Sequence, residues 1–118
     1  MSYVDGFVLP VPEGKLDAYL ELAKTASVIW KEHGALDYKE CVLEDKSDPG
    51  FCATFPALAG VKEGETVIFA FIVYESREHR SAVNAKVMAD PRMACPPENM
   101  PFDPKRMAFG GFKTLVEA

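Results

Sequence analysis

Between Glu65 and Glu75 the chain runs Thr66-Val67-Ile68-Phe69-Ala70-Phe71-Ile72-Val73-Tyr74, without a charge, a glycine or a proline. Its β-branched and aromatic content predicts a strand. Successive side chains of a strand point to opposite faces of its sheet. One row is therefore Ile68, Ala70, Ile72 and Tyr74, and the other is Val67, Phe69, Phe71 and Val73. Both rows are apolar, so both faces of the sheet need cover. Leaving Val67, Phe69, Phe71 and Val73 in water would forgo roughly 6–12 kcal/mol, at about 1.5–3 kcal/mol per large side chain. Net stability of a typical domain is only about 5–15 kcal/mol. Tyr3 to Val11 predicts another strand of the same kind, with Phe7, Leu9 and Val11 on one face and Val4 and Val8 on the other.

The remaining elements follow from periodicity and punctuation. Lys15 to His33 predicts a helix with Leu16, Tyr19, Leu20, Ala23, Ala26, Ile29, Trp30 and His33 on its apolar stripe. Gly34 ends it. Ala35 to Glu44 predicts a strand, and 45–50 is turn chemistry. From there to Gly64 the pattern is weak: a short extra strand over Phe51 to Leu58, or a loop long enough to act as a lid. Ser76 caps a helix that runs to Ala89, where Asp90-Pro91 stops it. A proline-rich connection spans Arg92 to Pro104, and Arg106 to Val116 predicts the last strand. Gly110-Gly111 within it implies a bulge or a close backbone approach.

The order strand, helix, strand, strand, helix, strand is that of a ferredoxin-like α+β fold. One domain over residues 1–118 is expected, with a four-stranded antiparallel sheet, its first and third strands central, and both helices on one face. A parallel dinucleotide-binding sheet is excluded by the consecutive strands and the missing Gly-x-Gly-x-x-Gly. The simplest cover for the other face is a second copy of it, because twofold association needs one self-complementary patch. A homodimer through the open face, a dimeric α/β barrel, is the expectation. The alternative is that residues 45–64 or the tail fold back over that face.

A net charge of −5, with 13 basic and 18 acidic residues and no basic cluster, disfavours nucleic acid and anionic membrane as partners. Cys41, Cys52 and Cys95 show neither disulfide nor zinc spacing, and free thiols fit a reducing cytosol. No secretory or membrane-spanning segment is present in the sequence. The expected protein is cytoplasmic and holds no metal or cofactor.

Several stretches carry a family resemblance: Tyr3-Val4-Asp5-Gly6-Phe7-Val8, Lys31-Glu32-His33-Gly34-Ala35-Leu36, Glu65-Thr66-Val67, Asp90-Pro91-Arg92-Met93, and Met100-Pro101-Phe102-Asp103-Pro104-Lys105-Arg106-Met107 before Gly110-Gly111-Phe112. From Tyr3 to about Phe112 the chain resembles the YbaA-like family, a bacterial family of domains of unknown function. The resemblance implies a dimeric α+β barrel related in fold to antibiotic-biosynthesis monooxygenases. It implies no catalytic residues.

Candidate chemistry rests on single residues. Asp5 sits among apolar neighbours on a central strand, where a carboxylate needs a partner; Arg106, at the start of the adjacent strand, is the expected one. The pair reads as a structural ion pair or as a tuned acid and base. His33 and His79 lie on the apolar stripes of the two helices, where a capping or packed histidine is the plainer reading. Tyr38 and Tyr74 offer hydroxyls at the rim of an apolar space, and Trp30 reads as core or as a ligand platform. Arg92 and Asp103 lie on the proline-bounded connection, which suits a binding loop or a rigid structural link. Two functions remain open. One is a pocket for a small apolar or aromatic molecule, with cofactor-free oxygenase- or isomerase-like turnover at Asp5, His33, His79 or Arg106 and binding by Tyr74, Trp30, Arg92 and Asp103. The other is a non-catalytic dimeric domain that senses a ligand or contacts a protein.

Overall fold

The computed structural model describes residues 1–118, apart from the side chain of Pro97 in the proline-rich connection, which lies outside the described residues. The chain runs β1 (Tyr3–Pro12), α1 (Leu16–Glu32), β2 (Asp37–Val42), α2 (Phe55–Ala59), β3 (Glu65–Tyr74), α3 (Arg77–Ala89) and β4 (Ala108–Lys113). The strands form one antiparallel sheet in the order β2-β3-β1-β4, the ferredoxin-like arrangement predicted. β1 and β3 are central and pair from Tyr3 opposite Tyr74 to Pro12 opposite Glu65.

The helices end where local chemistry stops them. Ser76 Oγ accepts the backbone N–H of His79 at 3.0 Å and so caps α3. At the end of α1, Gly34 takes φ +117°, and a side chain there would meet His79 and Val83 of α3. Both long helices bury their stripes against one face of the sheet. Tyr19 and Ala23 of α1 pack with Leu9, Val11, Ile68 and Ala70. Ile29 of α1 and Val83 and Val87 of α3 pack with Ile72 and Tyr74.

The segment read as a short extra strand or a long loop instead contains the helix α2. Thr54 caps it, Pro56 sits in its first turn, and Gly60 closes it in the left-handed region at φ +65°. A proline costs nothing in a first helical turn but removes a ladder donor from a strand. α2 lies on the face opposite α1 and α3, with Phe55 edge-on to Phe69 at 5.8 Å between ring centres. Pro10 and Val67 are buried at this end. The expected open face is therefore partly covered by the chain itself. Its remainder stays accessible: Phe69 is 42% and Phe112 60% exposed, and Val4, Val8, Phe71 and Val73 are half-buried.

The last strand begins at Ala108, not Arg106, because Pro104–Arg106 form a 3₁₀ turn capped by Asp103. Pairing of β1 with β4 is unbroken from Val8–Ala108 to Tyr3–Lys113, so Gly110-Gly111 is a close approach and not a bulge. A Cβ on Gly111 would fall 2.5 Å from the Tyr3 hydroxyl.

This register also separates Asp5 from Arg106. With Ala108 opposite Val8, Arg106 lies toward Pro10, roughly 16 Å along the sheet from Asp5 at about 3.3 Å per residue. Arg106 instead forks onto Glu65, with Nη1 to Oε2 at 2.6 Å and Nη2 to Oε1 at 2.9 Å. Asp5 is 1% exposed and accepts a hydrogen bond from Arg80 Nη1 of α3 at 3.0 Å. Burial pushes the Asp5 carboxyl above the usual carboxylate range, against the opposing pull of Arg80, Asn84 and Tyr74.

Removing one partner of a buried pair leaves the other charge uncompensated. Asp5→Ala is expected to lose about 3–5 kcal/mol in urea unfolding, and Asp5→Leu with Arg80→Met to recover most of it. The Arg106 fork, with the Lys62 N–H, holds Glu65 down to about 2 from 4.5. A depressed carboxylate stabilises above its unfolded pKa and loses that effect as pH falls. Glu65→Gln should thus melt below wild type at neutral pH, with the two melting curves converging as pH drops from 4.5 toward 2.

Candidate ligand site

Alanines open a space between α1 and the sheet. Ala23 and Ala26 on α1 face Ala70 of β3, where larger side chains would close the layer, and a cavity of about 230 Å³ lies there. Phe7, Leu9 and Ile72 complete its floor. The proline-rich connection supplies its outer wall through Met93, Met100, Phe102 and Met107. Packing of this wall is direct: Phe102 meets Tyr19 edge-on at 5.7 Å.

The cavity has one polar end. Tyr38 and Glu40, two residues apart on β2, share the helix-facing side of this edge strand and sit opposite Ile72 and Ala70. Tyr19 reaches the same point from α1. Its hydroxyl donates to Glu40 Oε1 at 2.6 Å, and the Tyr38 hydroxyl donates to Oε2 at 2.6 Å. Burial, then the hydrogen bond and charge of Glu40, push both phenols well above the ordinary tyrosine range. Both Glu40 oxygens are thereby fixed. Among the described residues, no cationic side chain forms a salt bridge with Glu40.

Two further polar groups border this space. Trp30 lines it and directs its indole N–H away, to the Tyr74 hydroxyl at 3.0 Å and Asn84 Oδ1 at 3.1 Å. Arg92 stands at the rim. Its Nε and Nη2 donate to Asp90 at 3.1 and 2.7 Å, and Nη2 also reaches Glu32 at 2.6 Å. Arg92, then His33, holds the Asp90 carboxyl far below the usual range.

Of the residues singled out in the sequence, Trp30, Arg92 and Tyr38 line the cavity. Tyr74 stands behind Trp30, and Asp5 behind that, on Arg80. His33 contacts Asp90 at 2.9 Å on the far side of the rim. His79 accepts the Glu75 N–H at 3.0 Å and lies edge-on to Tyr74. Asp103 caps its own turn and Arg106 pairs with Glu65. Glu40 and Tyr19 were missed. Tyr19 reads as one more apolar-stripe residue, yet the Tyr38-x-Glu40 alternation places both side chains on one face of a strand, which was the available signal. Among the described residues, no cluster of His, Cys, Asp or Glu is placed to hold a metal ion, and no helix is long and apolar enough to cross a membrane.

Comparisons with known proteins bear out the YbaA-like resemblance. Residues 2–104 match the family model described as "Protein of unknown function (DUF1428)". The chain is 47% identical over 117 residues to "Uncharacterized protein YbaA" of Escherichia coli strain K12, covering 99% of both chains. The Shigella flexneri protein of that name matches to the same extent. An uncharacterized NIPSNAP domain protein from Burkholderia xenovorans superposes with a TM-score of 0.63 over 98% of this chain and 97% of that one. At 14% identity that likeness speaks for the fold alone.

The phenol arrangement has an optical signature. Tyr19, Tyr38 and Tyr74 all have raised pKa values. Native protein titrated through about pH 10–12, where free tyrosine ionises, should form far less tyrosinate than the same chain in urea. Tyr19→Phe should leave the native titration unchanged. Full ionisation of the native tyrosines near the ordinary value would contradict the Glu40 geometry.

Proposed function

The chain belongs to the DUF1428 family of proteins of unknown function, and from that premise we propose that it binds a small apolar or aromatic molecule on the helix side of its sheet. The observation that carries this reading is an apolar cavity of about 230 Å³ with a single polar end at Tyr19, Glu40 and Tyr38. A cavity of about 150 Å³ suffices for benzene. The space therefore suits one aromatic ring with a short substituent. Drug-sized pockets run larger, at roughly 300–1,000 Å³.

Cofactor-free turnover of the isomerase or oxygenase kind would run through Glu40, the carboxylate in the lining. Its two phenol partners would hold its oxygens in place, leaving the remaining lone pairs for a substrate proton. Without turnover, the same pocket would serve a ligand-sensing domain. The other half of the proposal is a homodimer through the uncovered part of the sheet. Support comes from the apolar row that crosses three strands there: Phe112 of β4, Val4 and Val8 of β1, and Phe69, Phe71 and Val73 of β3. The free state of Cys41, Cys52 and Cys95 suits a reducing compartment.

Filling the space tests the pocket. Ala26→Leu should keep the native circular dichroism and lose the thermal stabilisation that single-ring aromatics give the wild type. Equal stabilisation of both proteins would refute a ligand in this cavity. For the dimer, Phe112→Asp should convert a sedimenting dimer to a monomer, and a stable wild-type monomer would remove that half of the proposal.

A further inference from the structure

We infer that the cavity selects ligands that donate hydrogen bonds from a positive charge, namely an amine attached to a small apolar or aromatic body. The inference rests on the pocket reading above and names its ligand class. It follows from where the side-chain donors of the lining go. Tyr19 and Tyr38 each donate to Glu40. Trp30 donates to Tyr74 and Asn84. Thr25 Oγ1 donates to the Glu21 carbonyl at 3.3 Å, and the Cys95 thiol to the Pro96 carbonyl at 3.7 Å. Arg92 gives Nε and Nη2 to Asp90 and Glu32. Arg92 keeps its Nη1 donors at the rim, but at the polar end, where Tyr19, Tyr38 and Glu40 meet, acceptors are what remain.

An ionised carboxylate has about four lone-pair sites, and the two phenols fill two of those on Glu40. The phenol oxygens, having given their protons to Glu40, can only accept from a ligand. A carboxylate, phosphate or ketone would meet oxygens with no proton to share. An ammonium group supplies three donors and the opposite charge. The charges agree: Arg92 is taken up by Asp90 and Glu32, and His33 also faces Asp90, while Glu40 has only the two phenols. The walls agree as well. Tyr19, Trp30, Tyr38, Phe7 and Phe102 all line the space, and aromatic faces attract cations.

The test uses three ligands on one skeleton: 2-phenylethylamine, 2-phenylethanol and phenylacetate, titrated by calorimetry at neutral pH. The amine should bind at least about tenfold more tightly than the alcohol, as charge-assisted hydrogen bonds exceed neutral ones, and the carboxylate should bind worst. Glu40→Gln should bring amine and alcohol to similar affinity while alcohol binding persists. Tyr38→Phe frees an acceptor site on Glu40 and should keep or strengthen amine binding, which a merely structural role for the pair would not do. Equal or tighter binding of phenylacetate, or an amine preference that survives Glu40→Gln, overturns the inference and leaves the pocket standing. Failure of all three ligands to bind, or binding unaffected by Ala26→Leu, overturns the pocket itself.

Discussion

Two central strands with apolar side chains on both faces set the terms for everything else in this molecule. A sheet built on β1 and β3 cannot leave either face to water, because the loss would rival the whole net stability of a domain. On one face the chain answers with α1 and α3, which bury Leu9, Val11, Ile68, Ile72 and Tyr74. On the other it offers only α2, a single short helix whose Phe55 reaches Phe69. The asymmetry between a thick layer and a thin one divides the molecule into a side where a ligand can be enclosed and a side suited to a second sheet.

Within the thick layer, the balance of residue sizes decides where the enclosed space falls. Next to Ile29, Val83 and Val87 the layer is solid, and its polar groups pair with one another except for Arg80 Nε, which is buried without a partner. Asp5 meets Arg80, and Trp30, Tyr74 and Asn84 share one hydrogen-bonded knot. Toward Ala23, Ala26 and Ala70 the layer is short of side-chain volume, and the proline-bounded connection leans methionines over the gap. Methionine fills irregular space and yields to different shapes. The wall best able to adapt is therefore the one over the cavity. The Asp5 side is packed by α3 and the end of α1, and the Glu40 side is walled by the methionines of the connection.

Much of this architecture is legible in the sequence. Alternation along Thr66 to Tyr74, the stripe of α1, the Ser76 cap and the Asp90-Pro91 stop lead to the correct order of elements and the correct central pair of strands. The failures have physical causes. Residues 51–58 carry strand-like aromatics, yet Pro56 and the Thr54 cap favour a helical turn. Taking Arg106 as the start of β4 put it beside Asp5, and a 3₁₀ turn over Pro104–Arg106 moves it to the other end of the sheet. Arg80, the true partner, precedes Val83 and Val87 by three and seven residues on the buried side of α3, a place where the apolar stripe alone gives no reason to look for a charge. The cavity was hidden for a different reason. It is made by what small residues omit, and by a loop whose position no local pattern encodes.

Glu40 sets the cavity apart from the structural polar groups more clearly than any list of titratable residues could. Three of the four arginines are given to carboxylates: Arg80 to Asp5, Arg92 to Asp90 and Glu32, Arg106 to Glu65. Each of these carboxylates meets a guanidinium directly. Glu40 is half-buried beside an apolar space, receives two neutral phenols and forms no ion pair among the described residues. Withdrawing a carboxylate from water without a cation is unfavourable, and a fold selected for stability alone would place an arginine or a glutamine there. The open acceptor sites are tolerable if a visiting donor occupies them. On the proposed pocket reading, those acceptor sites are what a ligand's donors would meet on entering.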